Sequence, residues 1–135
     1  MSKHKVFALP VRVYFQDTDA GGVVYHASYV NFMERARTEW LRTHGYSNAG
    51  LMKEFGVVFV VRSLKLDYLK PALLDDLLEV TAQIKDIGRS RLTLLQSVLR
   101  GDEVLTEGEV HLVCVSLEGF KPVSVPEVLR KQWKV

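Results

Sequence analysis

The chain has 135 residues, 47% hydrophobic and 25% charged, a composition that fits one soluble globular domain over residues 1–135. Eighteen Lys and Arg (18) stand against 16 Asp and Glu, and a net charge of +2 lacks the basic footprint of a nucleic-acid binder. One cysteine, Cys114, excludes an internal disulfide and the multi-cysteine zinc patterns, and no apolar run approaches the ~20 residues needed to span a bilayer.

"MSKHKVFALPVRVYF" lacks the apolar core and cleavage site of a signal peptide, so a cytoplasmic location is expected. Val6 to Gln16 is rich in β-branched and aromatic residues and reads as a strand, with Pro10 placing it at an edge or a bulge. From about Ala27 to His44 the period is helical. Val30, Met33, Ala36, Arg37, Trp40, Leu41 and His44 form a mostly apolar stripe, and Arg35 and Glu39 are spaced as an i,i+4 pair. Gly45 stops that helix, and "SNAGLMKEF" predicts a short second one capped by Ser47 or Asn48. Four strand-like runs follow, broken at Lys70-Pro71, Asp75-Asp76, Gly88 and Gly101-Asp102, and Pro126 opens a short terminal helix. One helix among about five strands predicts an α+β fold, an antiparallel sheet wrapped around a central helix. The uncovered sheet face argues for a homo-oligomer.

"DTDAGGVVYHAS" joins the first strand to the helix. Asp17 and Asp19 suit a plain turn. A calcium loop is excluded by counting, because position five would be Gly21 and position twelve Ser28, and no His-x-x-x-His or Cys-x-x-Cys pair offers zinc a seat. The remaining reading is electrostatic. Gly21 and Gly22 give a ligand close access to the backbone, and the helix beginning near Tyr25 to Ser28 has free N–H groups that suit an oxyanion. A carboxylate facing that helix start could attack a polarised carbonyl or direct water at it.

"VRVYFQDTDAGGVVYHASYVNFMERARTEWLR" resembles the signature of the hotdog-fold 4-hydroxybenzoyl-CoA thioesterase family, most closely its Tol-Pal-associated (YbgC-type) acyl-CoA thioesterases. The similarity continues through "VVFVVRSLKLDYLKPALLDDLLEV" to "KPVSVPEVL". It implies a hotdog fold, dimers made by joining sheets and paired into tetramers, and active sites at the dimer interface. It also implies hydrolysis of acyl-CoA with no cofactor beyond the substrate's own coenzyme A. Asp19 would then be base or nucleophile and the backbone at His26 the group that polarises the carbonyl, with the His26 imidazole a second catalytic candidate and Asp17 shaping the turn. Phe15 stands where close relatives often carry a tyrosine with an active-site role.

Tyr25, Arg89, Ser90 and Arg91 are the expected substrate contacts, the last three in a turn that aligns with the family's phosphate-binding region. Lys121 is a weaker candidate. Arg62 and Lys65 are read as structural. Val110, Leu112 and Cys114 share a strand face, so Cys114 is expected to be buried, and His111 to point away from it. An acyl carrier protein is a possible partner, and the rival reading is a non-catalytic binder of acyl chains or carrier protein linked to the Tol-Pal envelope system.

Overall fold

The computed structural model describes residues 6–133. In chain order these form β1 (Phe7–Arg12), α1 (Ser28–Thr43), α2 (Asn48–Phe55), β2 (Val57–Tyr68), β3 (Leu77–Ile87), β4 (Arg91–Arg100), β5 (Glu103–Ser116) and α3 (Glu127–Gln132). The strands make one sheet in the order β1-β3-β4-β5-β2, antiparallel at every junction. Helix α1 packs on it against β3, β1 and β4, which is the expected α+β hotdog arrangement. β1 and β2 are the two edges, so Pro10, opposite Glu79, sits where a missing N–H is tolerated.

The first strand is shorter than its sequence suggests. Regular pairing ends at Arg12, and Phe15–Asp17 is a 3-10 turn, because the Asp17 carboxylate takes the Tyr14 N–H (2.8 Å) out of any ladder. The helix runs as its period predicts, with Ala27 and His44 flanking it and Gly45 leaving it at φ +90°. Ser47 caps α2 by accepting the Gly50 N–H (3.0 Å).

The buried face of α1 is wider than the predicted stripe. Met33, Ala36, Trp40 and Leu41 are buried as expected, but so are Tyr29 and Phe32, while Val30 and Arg37 are half-buried. Burial of Phe32 and Met33 contributes about 1.5–3 kcal/mol each. Glu39 bonds Arg42 (3.5 Å) one helical turn on, rather than Arg35, and this exposed pair contributes little. A Cβ on Gly108 of β5 would lie 2.6 Å from Leu66 and 3.2 Å from Met33, so this glycine lets the helix approach the sheet closely.

The core divides along the helix. Its N-terminal half packs with Val13, Val24, Ala72, Leu78 and Leu105, beneath the loop that precedes it. Its C-terminal half packs with Leu51, Leu94, Leu112, Leu129 and Trp133. In β3, buried Leu78, Val80 and Ala82 alternate with outward residues, as "LEVTAQI" predicts.

Candidate active site

Hydrogen bonds, rather than a regular element, hold the chain between Val13 and Ser28. Val13 donates to Asp76 O (2.8 Å) and accepts from the Asp75 N–H (3.1 Å). The Val24 N–H donates to Ala72 O (2.9 Å), the Leu74 N–H to Gly22 O (3.1 Å), and the Tyr29 hydroxyl accepts the Ala72 N–H (3.0 Å). The 72–76 turn is itself braced by Asp76, whose carboxylate accepts the Leu73 N–H (2.8 Å) and pairs with Arg100 (2.7 Å). The loop therefore rests on β1, α1 and the β2–β3 connection together.

Asp17 and Asp19 have different surroundings. Asp17 is buried, its carboxylate on Tyr14, and its backbone carbonyl accepts from the Tyr25 N–H (2.9 Å) and the Ser28 hydroxyl (3.1 Å). It ties the turn to the start of α1. Asp19 is exposed. One of its oxygens accepts the Gly21 N–H (3.0 Å), and the other has no partner among the described residues. The turn reading of Asp19 thus holds for one oxygen and leaves the second open for chemistry. Gly22, at φ +81°, is the glycine this loop requires, since an added Cβ on Gly21 would meet only ordinary contact.

Helix α1 begins directly after this loop. The backbone N–H groups of His26 and Ala27 donate to no acceptor among the described residues. They lie at the positive end of a 16-residue helix, where developing negative charge is stabilised. The His26 carbonyl accepts the Tyr68 hydroxyl (2.9 Å). Because the peptide is trans and planar, that bond also fixes the direction of the Ala27 N–H on the opposite side. Desolvation, aided by Tyr29, pushes the Tyr68 phenol up from its ordinary pKa, which keeps it a neutral donor. The Tyr25 and His26 rings are exposed and lie against one another at a tilt, centroids 4.4 Å apart and planes 45° apart.

Sequence reading missed Tyr68. It shares strand parity with the half-buried Leu64 and Leu66, but nothing local shows that it reaches a carbonyl 42 positions earlier. As a positioning residue it is expected to act through that carbonyl. Tyr68→Phe should lower kcat about tenfold and barely move KM, with an unchanged circular dichroism spectrum. A change in KM alone would assign it to substrate binding instead.

The predicted phosphate contacts lie elsewhere. Arg89, Ser90 and Arg91 form the β3–β4 hairpin, where the carbonyls of Arg89 and Ser90 accept the N–H groups of Val125 (2.8 Å) and Cys114 (2.7 Å). Arg91 curls its guanidinium over Gly88 and, with Arg62, Thr93 and His111, lines a polar hollow on the sheet. Lys121 is exposed in the turn after β5, bonded through its backbone to Ser116 at the same end. The loop of Asp19 adjoins the Leu77 end of β3 and the hairpin its Ile87 end. Eleven extended residues put them roughly 30 Å apart in one protomer. The structure places Asp19, Tyr25 and His26 in the one loop before α1 and the arginines at the far end of β3.

Cys114 lies in the C-terminal half of the core, and burial pushes its thiol pKa up to about 11. His111 bonds Thr93 (3.2 Å) and Glu109 (3.0 Å) instead. The folded protein is therefore expected to resist iodoacetamide at pH 7.5 and to alkylate promptly once unfolded, as mass spectrometry would report. Rapid modification of the folded form would contradict this. Among the described residues no three His, Cys, Asp or Glu side chains converge as a metal site, and no helix is long and apolar enough to cross a membrane.

Comparison with known proteins gives the family. Residues 13–133 match the thioesterase-like superfamily. The chain is 47% identical over 130 residues to an acyl-CoA thioester hydrolase, YbgC, of Escherichia coli O6:H1, covering 96% of each. It is 44% identical to the acyl-CoA thioesterase YbgC of Haemophilus influenzae, covering 92% of this chain and 91% of that one. A crystal structure of a probable thioesterase from Bartonella henselae superposes with a TM-score of 0.86 at 34% identity, over 90% of this chain and 100% of that one. With its five-stranded sheet, its central helix and these relatives, the chain belongs to the thioesterase-like superfamily.

Proposed function

We propose that the protein hydrolyses acyl-CoA thioesters to a free acid and coenzyme A, with Asp19 driving the reaction and the N–H groups of His26 and Ala27 receiving the oxyanion. The observation that carries this is one hydrogen-bonded loop that holds an exposed carboxylate with an oxygen unpartnered among the described residues and leads directly into a long helix whose first N–H groups, at His26 and Ala27, are likewise unpartnered there. The relatives named as acyl-CoA thioesterases support the substrate class.

As base, Asp19 takes a proton from water while the water oxygen bonds the carbonyl carbon, and the carbonyl oxygen becomes the oxyanion at the helix start. Collapse breaks the C–S bond and expels coenzyme A as thiolate, a leaving group good enough to need little protonation. As nucleophile, an Asp19 carboxylate oxygen would bond the same carbon first, collapse would break the C–S bond and expel coenzyme A thiolate to leave a mixed anhydride, and water would then cleave that anhydride to the free acid and the Asp19 carboxylate. Both routes use the same N–H groups. The adjacent, mutually tilted Tyr25 and His26 rings offer a surface for the substrate, and in this reading groups of this chain would serve as base, oxyanion donor and phosphate contact.

Self-association completes the site. β2 pairs with β5 alone among the described residues, leaving a 12-residue edge open with Val60 and Val61 exposed. Tyr68, at one end of β2, bonds His26, while Val57, at the other end, lies opposite Ser116 near the arginine hairpin. Antiparallel pairing of two β2 edges about a two-fold axis would set the Asp19 end of one protomer against the Arg89–Arg91 end of its partner. Around the loop, Tyr14, Phe15, Leu69, Leu73 and Leu77 are exposed, Phe15 by 80%, an apolar rim suited to a partner and an acyl group. The buried, reduced Cys114 fits a reducing compartment, and we place the enzyme in the cytoplasm.

The test is release of free thiol from a panel of acyl-CoA thioesters, with light scattering on the same sample. Hydrolysis of at least one thioester by an oligomer is expected. A monomer that releases no thiol would overturn the reading.

A further inference from the structure

The β3–β4 hairpin is held from one side by the C-terminal segment. Leu129 and, just past the end of α3, Trp133 anchor that segment in the core, and Arg130 lies in the last turn of the helix. Nη1 of Arg130 donates to the carbonyls of Gly88 (2.5 Å) and Arg89 (3.4 Å), and the Val125 N–H also donates to Arg89 O (2.8 Å). These peptides are trans, so the N–H that follows each carbonyl points the opposite way. The Arg89 and Ser90 N–H groups are therefore turned away from α3, and neither donates to an acceptor among the described residues.

Arg130 is half-buried, yet its guanidinium bonds neutral carbonyls rather than a carboxylate. Asp86 and Glu127 are the carboxylates nearest in sequence to the hairpin and to Arg130. Neither forms an ion pair with Arg89, Arg91 or Arg130 among the described residues. Two successive N–H groups facing one way form a backbone site for an anion, and guanidiniums beside them match a phosphate in charge and geometry. A carbonyl that loses its donor frees its peptide to rotate, so Arg130 governs where those N–H groups point.

We infer that Arg130 is a positioning residue for acyl-CoA. By holding the Gly88 and Arg89 carbonyls it keeps the N–H groups of Arg89 and Ser90 facing outward, where they receive a phosphate alongside the arginine side chains. The inference rests on the reading of this hairpin as the phosphate contact, and Arg130 acts through the hairpin without touching the substrate.

Coenzyme A binding, read by isothermal titration calorimetry, tests this without any hydrolysis. Arg130→Met keeps the apolar stem and removes the donors, and should weaken coenzyme A about tenfold, with Arg130→Lys recovering part of the loss. In the hydrolysis assay Arg130→Met should raise KM for acyl-CoA by a similar factor at nearly constant kcat. It should leave an N-acetylcysteamine thioester, which has no phosphate, unaffected. A second measurement needs no variant: in the isotope-labelled wild type, the Arg89 and Ser90 amide NMR signals should shift as coenzyme A saturates the protein. Wild-type affinity in Arg130→Met, or unmoved Arg89 and Ser90 amides in the saturated wild type, would overturn the inference and leave the hydrolysis standing. Equal losses with both thioesters would reduce Arg130 to a part of the fold and overturn it as well. A wild type that binds no coenzyme A would refute the hairpin reading itself, and this inference with it.

Discussion

Asp19→Asn is expected to lower kcat for acyl-CoA hydrolysis by about 100- to 10,000-fold, the usual contribution of a positioned base, with KM and melting temperature nearly unchanged. The substitution separates charge from shape. Asp19 is exposed, and the only bond of its carboxylate among the described residues is the Gly21 N–H on one oxygen, which the amide oxygen of asparagine can accept in the same place. The turn survives, and the free carboxylate oxygen becomes an NH2 that can neither take a proton nor attack a carbonyl. The neighbouring carboxylate gives the opposite pattern. Asp17 is buried on the Tyr14 N–H, and Asp17→Ala leaves that donor unpaired at a cost of about 1–3 kcal/mol, so it should lose stability first and activity with it. Unchanged turnover in Asp19→Asn would remove Asp19 from the mechanism.

The second large effect is expected from the arginine hairpin, and its form depends on the two-fold arrangement. Arg89→Ala with Arg91→Ala should raise KM for acyl-CoA about tenfold or more, and leave hydrolysis of the matching N-acetylcysteamine thioester, which has no phosphate, unaffected. Asp19 and the hairpin lie at opposite ends of β3, so one protomer cannot supply both to one substrate. Mixing this double variant with Asp19→Asn after unfolding and refolding should therefore restore activity. In a random mixture half the dimers are mixed, and one site in each has an intact Asp19 and intact arginines. Recovery should approach about a quarter of the wild-type rate at low substrate. A mixture no more active than the average of its components would mean that the hairpin does not serve the partner's site.

Features set by short-range rules were legible in the sequence. The span of α1, its stop at Gly45, the Ser47 cap and the edge position of Pro10 each follow from a few adjacent residues. The Asp19 loop was legible as a candidate site because carboxylate, glycines and helix start lie within ten positions. What escaped depends on distant partners. The Val6–Gln16 strand breaks early because a carboxylate three residues on captures the Tyr14 N–H. The buried arc of α1 widens to Tyr29 and Phe32 because the core encloses more than one stripe. The Tyr68–His26 and Arg37–Gln96 bonds join residues 42 and 59 positions apart. The separation of Arg89–Arg91 from Asp19 follows from the length and direction of β3, which the residues of the hairpin do not encode locally.

The most direct test of the account is a single-turnover experiment, with enzyme in excess over an acyl-CoA that it binds and thiol release followed beside binding. The account predicts one equivalent of coenzyme A released per thioester by the wild type, and retention of the intact thioester by Asp19→Asn over the same interval. Binding by the wild type without thiol release would contradict it, and would assign the protein to non-catalytic capture of acyl groups or their carrier.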